Sequence, residues 1–173
     1  YSMLVFDIKP DEFEYAFSFD GPYEPAKGLL FNEENVLLDP YSRAVTGQRK
    51  WGEKPEGGKD FEYRARVVKS SFDWGNIKQL EQPFEDLVIY EIHVRGYTKD
   101  KSSGVSAPGT FAGLKDKIPY LKDLGINAVE LMPIFEFDEM ESARVVDGVQ
   151  LYNYWGYNTV SFFAPNTSYA FNE

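Results

Sequence analysis

Two short apolar runs separated by one amphipathic stripe constrain the fold of this chain more than any other feature. Residues 87–94 form a nearly continuous apolar run rich in β-branched side chains, and residues 127–132 form a second one. Such runs are typical of strands that are buried on both faces. Because a helix signal lies between them, the sequence predicts a strand, a crossover helix and a parallel strand, joined in the right-handed sense.

The predicted crossover helix has a recognisable start and end. Thr110 is a typical N-cap, and an apolar stripe follows it at helical spacing. The stripe consists of Phe111, Leu114, Ile118, Leu121 and Leu124. Gly125 is suited to end the helix in a left-handed conformation, whereas Pro119 predicts a kink or a broken turn within it.

Two long loops follow the predicted strands. In parallel α/β folds, functional side chains lie in the loops at the carboxyl ends of the strands. Here the loops span residues 95–109 and 133–158, longer than the usual two to six or so residues of such connections. The second loop contains Tyr152, Tyr154, Trp155 and Tyr157. We expect at least one of these rings to contact a ligand, because flat rings suit the apolar faces of sugars and Tyr and Trp add a polar edge.

The first half of the chain has the pattern of short strands and turns. A period-two alternation, whose aromatic members are Phe13, Tyr15, Phe17 and Phe19, predicts a half-buried strand. The cluster Gly-Pro-Tyr-Glu-Pro at residues 21–25 predicts the turn that ends it. Further strands are predicted at residues 2–8 and 61–68, and a surface loop at 50–60. No helix longer than a turn or two is predicted before Pro83, so this half has the pattern of an antiparallel β module.

Charge and composition exclude several classes of partner. The chain has 173 residues, with 18 Lys or Arg against 28 Asp or Glu, and a formal charge of −10. This acidic surplus argues against binding nucleic acid or an anionic membrane. The absence of Cys excludes disulfides and thiolate chemistry, and no apolar run approaches the roughly 18 residues of a membrane span. A neutral ligand is therefore favoured.

Several stretches, in order along the chain, resemble the isoamylase-type debranching enzymes of the α-amylase superfamily (glycoside hydrolase family 13). Residues 88–98 resemble the first barrel strand of that family, and residues 122–133 resemble its first helix end and second strand. Residues 154–159, Tyr-Trp-Gly-Tyr-Asn-Thr, resemble its Trp-Gly-Tyr loop. Residues 21–23, 37–41 and 72–74 resemble the preceding carbohydrate-binding module and linker. The Arg95-Gly96 ending favours debranching over branching enzymes.

The resemblance implies a multi-domain fold. Residues 1–82 would be the C-terminal part of a β-sandwich carbohydrate-binding module with its linker, and residues 83–173 the first βα units of a truncated (β/α)8 TIM barrel. A whole barrel needs about 250 residues, whereas 88 residues run from Asp86 to the end. We therefore expect an internal piece of a longer enzyme that is inactive alone. The family's catalytic Asp, Glu and Asp would lie beyond Glu173.

The implied function is cleavage of α-1,6 branch linkages in glycogen, starch or amylopectin by a retaining double displacement. The implied partner is a branched α-glucan such as glycogen, amylopectin or a limit dextrin, and no cofactor or metal is implied. A bacterial cytoplasm, or a plastid stroma in a plant or alga, would suit the composition. The alternatives are a non-catalytic glucan-binding or regulatory homologue, a pullulanase and a branching relative.

The resemblance also names candidate site residues. Tyr157 would stack on the glucose ring at the cleavage subsite, with Trp155 and Tyr154 beside it, and no residue of the chain would be catalytic. Strand alternation places Glu91, His93 and Arg95 on one face. There they would form either a charge-paired group behind the site or a purely structural network.

An acidic cluster follows the second predicted strand. It consists of Glu136, Asp138, Glu139 and Glu141. Paired carboxylates are the catalytic groups of retaining glycosidases, but the resembled family uses no acid or base at this strand end. We expect a solvated loop, with a calcium site as the alternative.

Overall fold

A computed structural model describes residues 4–46, 50–53 and 63–171. The described strands form five two-stranded sheets, of which four are antiparallel and one is parallel. No helix in these ranges combines the length and the apolar character that crossing a membrane requires. The parallel pair is the feature that positions the candidate site.

Antiparallel pairs and turns make up the described part of the first half of the chain. β1 (Glu14–Tyr15) pairs with β4 (Ala65–Arg66), and β2 (Phe17–Glu24) forms a hairpin with β3 (Leu29–Leu37). A 3₁₀ turn, Pro25–Lys27, joins the hairpin strands and ends at Gly28. The predicted pattern of short strands without a long helix is confirmed for the described part of this half.

β2 differs from the prediction in two respects. The strand continues through Gly21 and Pro22, because register shifts in the β2–β3 ladder accommodate these residues as an irregular stretch. Proline is tolerated at such irregularities and on unpaired strand edges. The strand is also exposed along its whole length instead of half-buried. The reason is that no third strand pairs with the hairpin among the described residues.

The other predictions for the first half fall partly outside the described residues. Residues 4–8 form no strand, so this part of the predicted strand at 2–8 is wrong. Of the strand predicted at 61–68, only β4 forms, and residues 61 and 62 are not described. Of the loop predicted at 50–60, residues 50–53 form a turn and the remainder lies outside the described ranges.

The predicted order of strand, helix and parallel strand is confirmed. β5 (Ile89–Ile92) and β6 (Ala128–Leu131) pair in parallel over four residues. Asn127 fixes the start of this pair, because its Oδ1 accepts from the Val88 N–H at 2.7 Å and its Nδ2 donates to the Asp86 carbonyl at 2.8 Å. Between the strands lie α1 (Val94–Thr98), α2 (Phe111–Asp116) and α3 (Ile118–Asp123).

The crossover helix begins, breaks and ends at the predicted residues. Thr110 Oγ1 accepts from the Gly113 N–H at 3.2 Å, as an N-cap should. The helix is interrupted at Lys117, and Pro119 lies in the first turn of α3, where its missing N–H costs nothing. The Gly125 and Ile126 N–H groups then bond back to the last turn of α3, and Gly125 has a φ of +87°. This is a Schellman ending, which favours glycine.

β5 is shorter and more exposed than its apolar run predicts. The strand ends at Ile92, and His93 is the N-cap of α1, so that the backbone turns helical where an extended one was predicted. Ile89 and Tyr90 are exposed instead of buried. Their exposure follows from the pairing, because β6 is the only strand beside β5 in the described structure.

The segment predicted as a long loop after β6 contains strands. β7 (Phe135–Phe137) pairs with β10 (Thr159–Pro165), and β8 (Arg144–Val146) forms a hairpin with β9 (Val149–Leu151). The main hydrophobic cluster joins α1, β7 and a 3₁₀ turn at Thr167–Tyr169. Its buried members are Val94, Phe137 and Tyr169, with Trp51, Phe111, Leu114 and Ile134 packed around them.

Candidate functional site

Four aromatic side chains are concentrated in the segment between β9 and β10. We call residues 152–157, which contain Tyr152, Tyr154, Trp155 and Tyr157, the aromatic loop. The loop forms one side of an open cleft of about 840 Å³, and the β8–β9 hairpin forms another. Glu141 and Asn158, which are hydrogen-bonded to each other, also line the cleft.

The rings at the tip of the aromatic loop face solvent. Tyr157 is 68% exposed and Trp155 is 57% exposed, whereas Tyr154 is the most covered of the three predicted contact residues at 39%. Large exposed rings beside an open cleft can stack on an apolar face, and the Tyr hydroxyl and Trp N–H can bond to polar edges. The structure therefore brings the three residues together at one surface.

His93 attaches the aromatic loop to the carboxyl end of β5. The Gly96 N–H donates to His93 Nδ1 at 2.9 Å, so the proton of the neutral imidazole is on Nε2. Nε2 in turn donates to the Tyr154 carbonyl at 2.9 Å. The imidazole also stacks on the Tyr154 ring, with 4.4 Å between centroids and 18° between planes. Burial lowers the pKa of His93 below its ordinary value, with a smaller contribution from the charge of Arg95, which favours this neutral form.

The aromatic loop also packs closely on β7. Gly156 has a φ of +75°, and a Cβ at this position would lie 2.6 Å from the Phe137 ring. The Asn153 N–H donates to the Glu139 carbonyl at 2.9 Å. Only glycine satisfies both the backbone angle and the close approach at position 156. The backbone of the loop is therefore held at several points, whereas its outer rings are free to contact a ligand.

Trp51 is a residue of the site that the sequence reasoning missed. Its ring lies edge-on to Tyr154 at 5.7 Å and to Phe137 at 6.0 Å, and it stacks on Tyr169 at 6.1 Å with 11° between planes. Arg95 Cζ lies 4.3 Å from the Trp51 ring centroid, which is a cation–π geometry. No motif or periodicity around residue 51 signals these contacts, because they join distant parts of the chain.

Glu91, His93 and Arg95 do not form the group that strand alternation predicts. Only Glu91 lies in the strand, since His93 caps α1 and Arg95 belongs to that helix. Glu91 is exposed and lies opposite Glu130 of β6. His93 and Arg95 instead contact Tyr154 and Trp51. Strand alternation does not reach Arg95, because the backbone is extended through His93 and becomes helical at Val94.

The acidic cluster is not the solvated loop that we expected. Glu136 and Glu139 are fully buried. Glu136 accepts from the Thr167 N–H at 2.9 Å, and Glu139 accepts from the Ser168 hydroxyl at 2.7 Å. Both carboxylates therefore fasten the 3₁₀ turn at Thr167–Tyr169 to the segment that begins with β7. Sequence reasoning missed this because partners some 30 positions away decide the burial.

Burial also changes the protonation of the two glutamates. Desolvation raises the pKa of Glu136 to about 7 and the pKa of Glu139 to about 7, and in each case the charge of Asp138 adds to the increase. Glu136 Oε1 has no hydrogen-bond partner among the described residues. Across the described ranges, no three or more His, Cys, Asp or Glu side chains are grouped in a way that could hold a metal ion.

The relatives of this chain include isoamylases and glycogen debranching enzymes. No protein-family model matches the chain. Isoamylase 1, chloroplastic, of Arabidopsis thaliana is 40% identical over 161 residues, which cover 90% of this chain and 21% of that protein. A glycogen debranching enzyme of Yersinia enterocolitica is 36% identical over 177 residues, covering 94% and 26%. The chain thus spans about a fifth to a quarter of the length of these relatives.

The solved structures that resemble this chain include pullulanases. The crystal structure of pullulanase type I from Bacillus subtilis, complexed with maltose, superimposes with a TM-score of 0.58 and 27% identity. The match covers 82% of this chain and 20% of the pullulanase. The likeness therefore extends over most of the chain.

Proposed function

We propose that this chain, a homologue of the isoamylase-type debranching enzymes of the α-amylase superfamily, is the part of a glycoside hydrolase that positions a branched α-glucan for cleavage of its α-1,6 linkages. The observation that carries the proposal is the aromatic loop at the carboxyl end of β5. Its inner residue Tyr154 is fixed by His93, and its outer rings Trp155 and Tyr157 are exposed beside an open cleft. An uncharged sugar chain is the ligand that such rings suit.

The architecture that we propose has two parts. Residues 1–82 would be the C-terminal part of a β-sandwich carbohydrate-binding module and its linker, and residues 83–173 the first βα units of a (β/α)8 barrel. The parallel β5–β6 pair supports the second assignment. The exposure of apolar strand residues supports it too, because Ile89 of β5 is 50% exposed and Val129 of β6 is 44% exposed. The remaining barrel would cover the exposed faces of β5 and β6.

The chemistry of the proposed reaction belongs to carboxylates outside these residues. In a retaining double displacement, one carboxylate attacks the anomeric carbon while another protonates the leaving oxygen, and water then releases the sugar. Glu136 and Glu139 are poor candidates for these roles, because both are buried and bonded to the turn at Thr167–Tyr169. The residues of this chain would bind and orient the glucan, with Tyr157 stacking on the sugar at the cleavage subsite.

The proposed partner is glycogen, amylopectin or a limit dextrin. The formal charge of −10 fits an uncharged polysaccharide better than a nucleic acid or an anionic membrane. The plant relative is named as chloroplastic, and the absence of Cys suits a reducing compartment. A plastid stroma in a plant or alga, or a bacterial cytoplasm, is therefore the location that we propose.

The test is an activity assay on the full-length protein that contains this chain. We expect it to release reducing ends from amylopectin and to deepen the iodine stain as branches are removed, whereas residues 1–173 alone release none. Binding of amylopectin without release of reducing ends would instead identify a non-catalytic glucan-binding homologue. If the full-length protein does not bind amylopectin and releases no reducing ends from it, the proposal is contradicted.

A pullulanase is the second candidate, favoured by the structural likeness to pullulanases. The rates of hydrolysis of pullulan and amylopectin distinguish the two candidates. Pullulan is a linear polymer of short units, whereas amylopectin carries long branches. Preferential hydrolysis of amylopectin would support the isoamylase-type assignment. Preferential hydrolysis of pullulan would replace it by the second candidate.

A further inference from the structure

A short turn from the first half of the chain lies behind the aromatic loop. We call residues 50–53, Lys-Trp-Gly-Glu, the Trp51 turn. The Glu53 N–H donates to the Lys50 carbonyl at 3.2 Å, and Gly52 has a φ of +75°. The turn belongs to the segment upstream of β5, so its contacts with the aromatic loop join residues about 100 positions apart.

Trp51 makes most of the contacts between the Trp51 turn and the rest of the site. Its ring contacts Tyr154 of the aromatic loop and Tyr169 of the buried core, and Arg95 of α1 lies over the ring at 4.3 Å. Tyr154 is thus held on two sides, by the imidazole of His93 and by the edge contact with Trp51. Removing the indole would leave a space beside Tyr154.

Gly52 makes the second contact between the Trp51 turn and the aromatic loop. A Cβ at this position would lie 2.9 Å from Tyr152 Cζ and 3.2 Å from its hydroxyl oxygen. The Tyr152 ring therefore lies directly against the backbone of the turn. The turn supports the aromatic loop at its first residue through Gly52 and at its third residue through Trp51.

We propose that Trp51 is a positioning residue for glucan binding. It holds Tyr152 and Tyr154 so that the rings of Trp155 and Tyr157 are presented to the cleft. The inference rests on the function proposed above. Trp51 itself is not among the described side chains that line the cleft. Its effect on the substrate is therefore indirect, and it makes the segment upstream of β5 a component of the site.

A misplacement of binding groups by about 1 Å can lower a catalytic rate by about two orders of magnitude. In the full-length protein, we expect Trp51→Ala to lower kcat/KM for amylopectin about 10- to 100-fold, chiefly through a higher KM. Trp51→Phe keeps an aromatic ring in the same place and should recover most of the loss. The control is Tyr120→Ala, because Tyr120 is an exposed ring of α3 that does not line the cleft.

A second pair of variants tests the contact without removing the indole. Gly52→Ala pushes a methyl group into the Tyr152 ring, whereas Gly28→Ala imposes the same backbone strain at the same φ of +75° with no atom within 4 Å. We expect Gly52→Ala to raise KM at least threefold and Gly28→Ala to leave it unchanged. This pair keeps the inference testable if Trp51→Ala does not fold.

The outcomes separate the inference from the function on which it rests. Wild-type KM and kcat in both Trp51→Ala and Gly52→Ala, in an enzyme that acts on amylopectin, would overturn the inference and leave the proposed function intact. A lower melting temperature together with a lower kcat and an unchanged KM would also overturn it, because a smaller folded fraction of the enzyme lowers the apparent kcat without changing KM. Failure of the wild-type protein to act on or bind amylopectin would overturn the proposed function itself.

Discussion

Glu136 and Glu139 are the residues whose environment departs most from their sequence context. Four acids within six positions indicate a solvated loop, yet two of them are fully buried and bonded to residues 167 and 168. Nothing in the local sequence distinguishes the buried pair from Asp138 and Glu141. The distinction arises from tertiary packing, which a local pattern of charges does not encode.

The buried glutamates predict a pH dependence of stability. Their folded-state pKa values are raised to about 7 from an ordinary value of 4.5. Between these values the folded protein binds more protons than the unfolded chain, so the free energy of unfolding falls as the pH rises from about 4.5 to 7. Each group contributes a loss on the order of 1–3 kcal/mol.

Replacing the two carboxylates tests this sign. We expect the double variant Glu136→Gln, Glu139→Gln of the full-length protein to gain melting temperature at pH 8 relative to wild type, and to gain much less at pH 5. Glu130→Gln, at an exposed position of β6, is the control. A difference between double variant and wild type that is equal at both pH values would disprove the linkage.

The crossover helix is the element that the sequence predicts best, because local interactions decide its limits. Thr110, Pro119 and Gly125 each act within one turn of the helix, and each has the predicted role. β5 is predicted less well, because an apolar run does not reveal where His93 turns the backbone into α1. β2 likewise continues through Gly21 and Pro22 because its partner strand accommodates them.

Thr110 provides a test at the scale of this helix. Its Oγ1 accepts from the Gly113 N–H and donates to the Ala107 carbonyl. We expect Thr110→Ala to lower the free energy of unfolding by about 1 kcal/mol, measured as a lower midpoint of denaturation in the full-length protein. Thr110→Ser keeps the hydroxyl and should lose less than half as much. An equal loss in both variants would show that the cap contributes nothing.

At the scale of the whole molecule, the site combines residues from distant parts of the chain. The sequence predicts the aromatic loop and the strand end beside it, since both are local patterns. It does not predict that Trp51 lies behind Tyr154, because the contact depends on how the first half packs on the second. The resemblance to debranching enzymes supplied the proposed role of Tyr157, and the exposure of this ring beside the cleft is consistent with it.

The central claim is that the exposed rings of the aromatic loop hold an uncharged glucan. The most direct measurement is kcat on amylopectin for the full-length protein carrying Tyr157→Ala, with Tyr120→Ala as the control, because Tyr120 is an exposed tyrosine of α3. We expect kcat to fall about 10- to 100-fold for Tyr157→Ala and to stay at the wild-type value for Tyr120→Ala. Wild-type kcat in Tyr157→Ala would contradict the central claim.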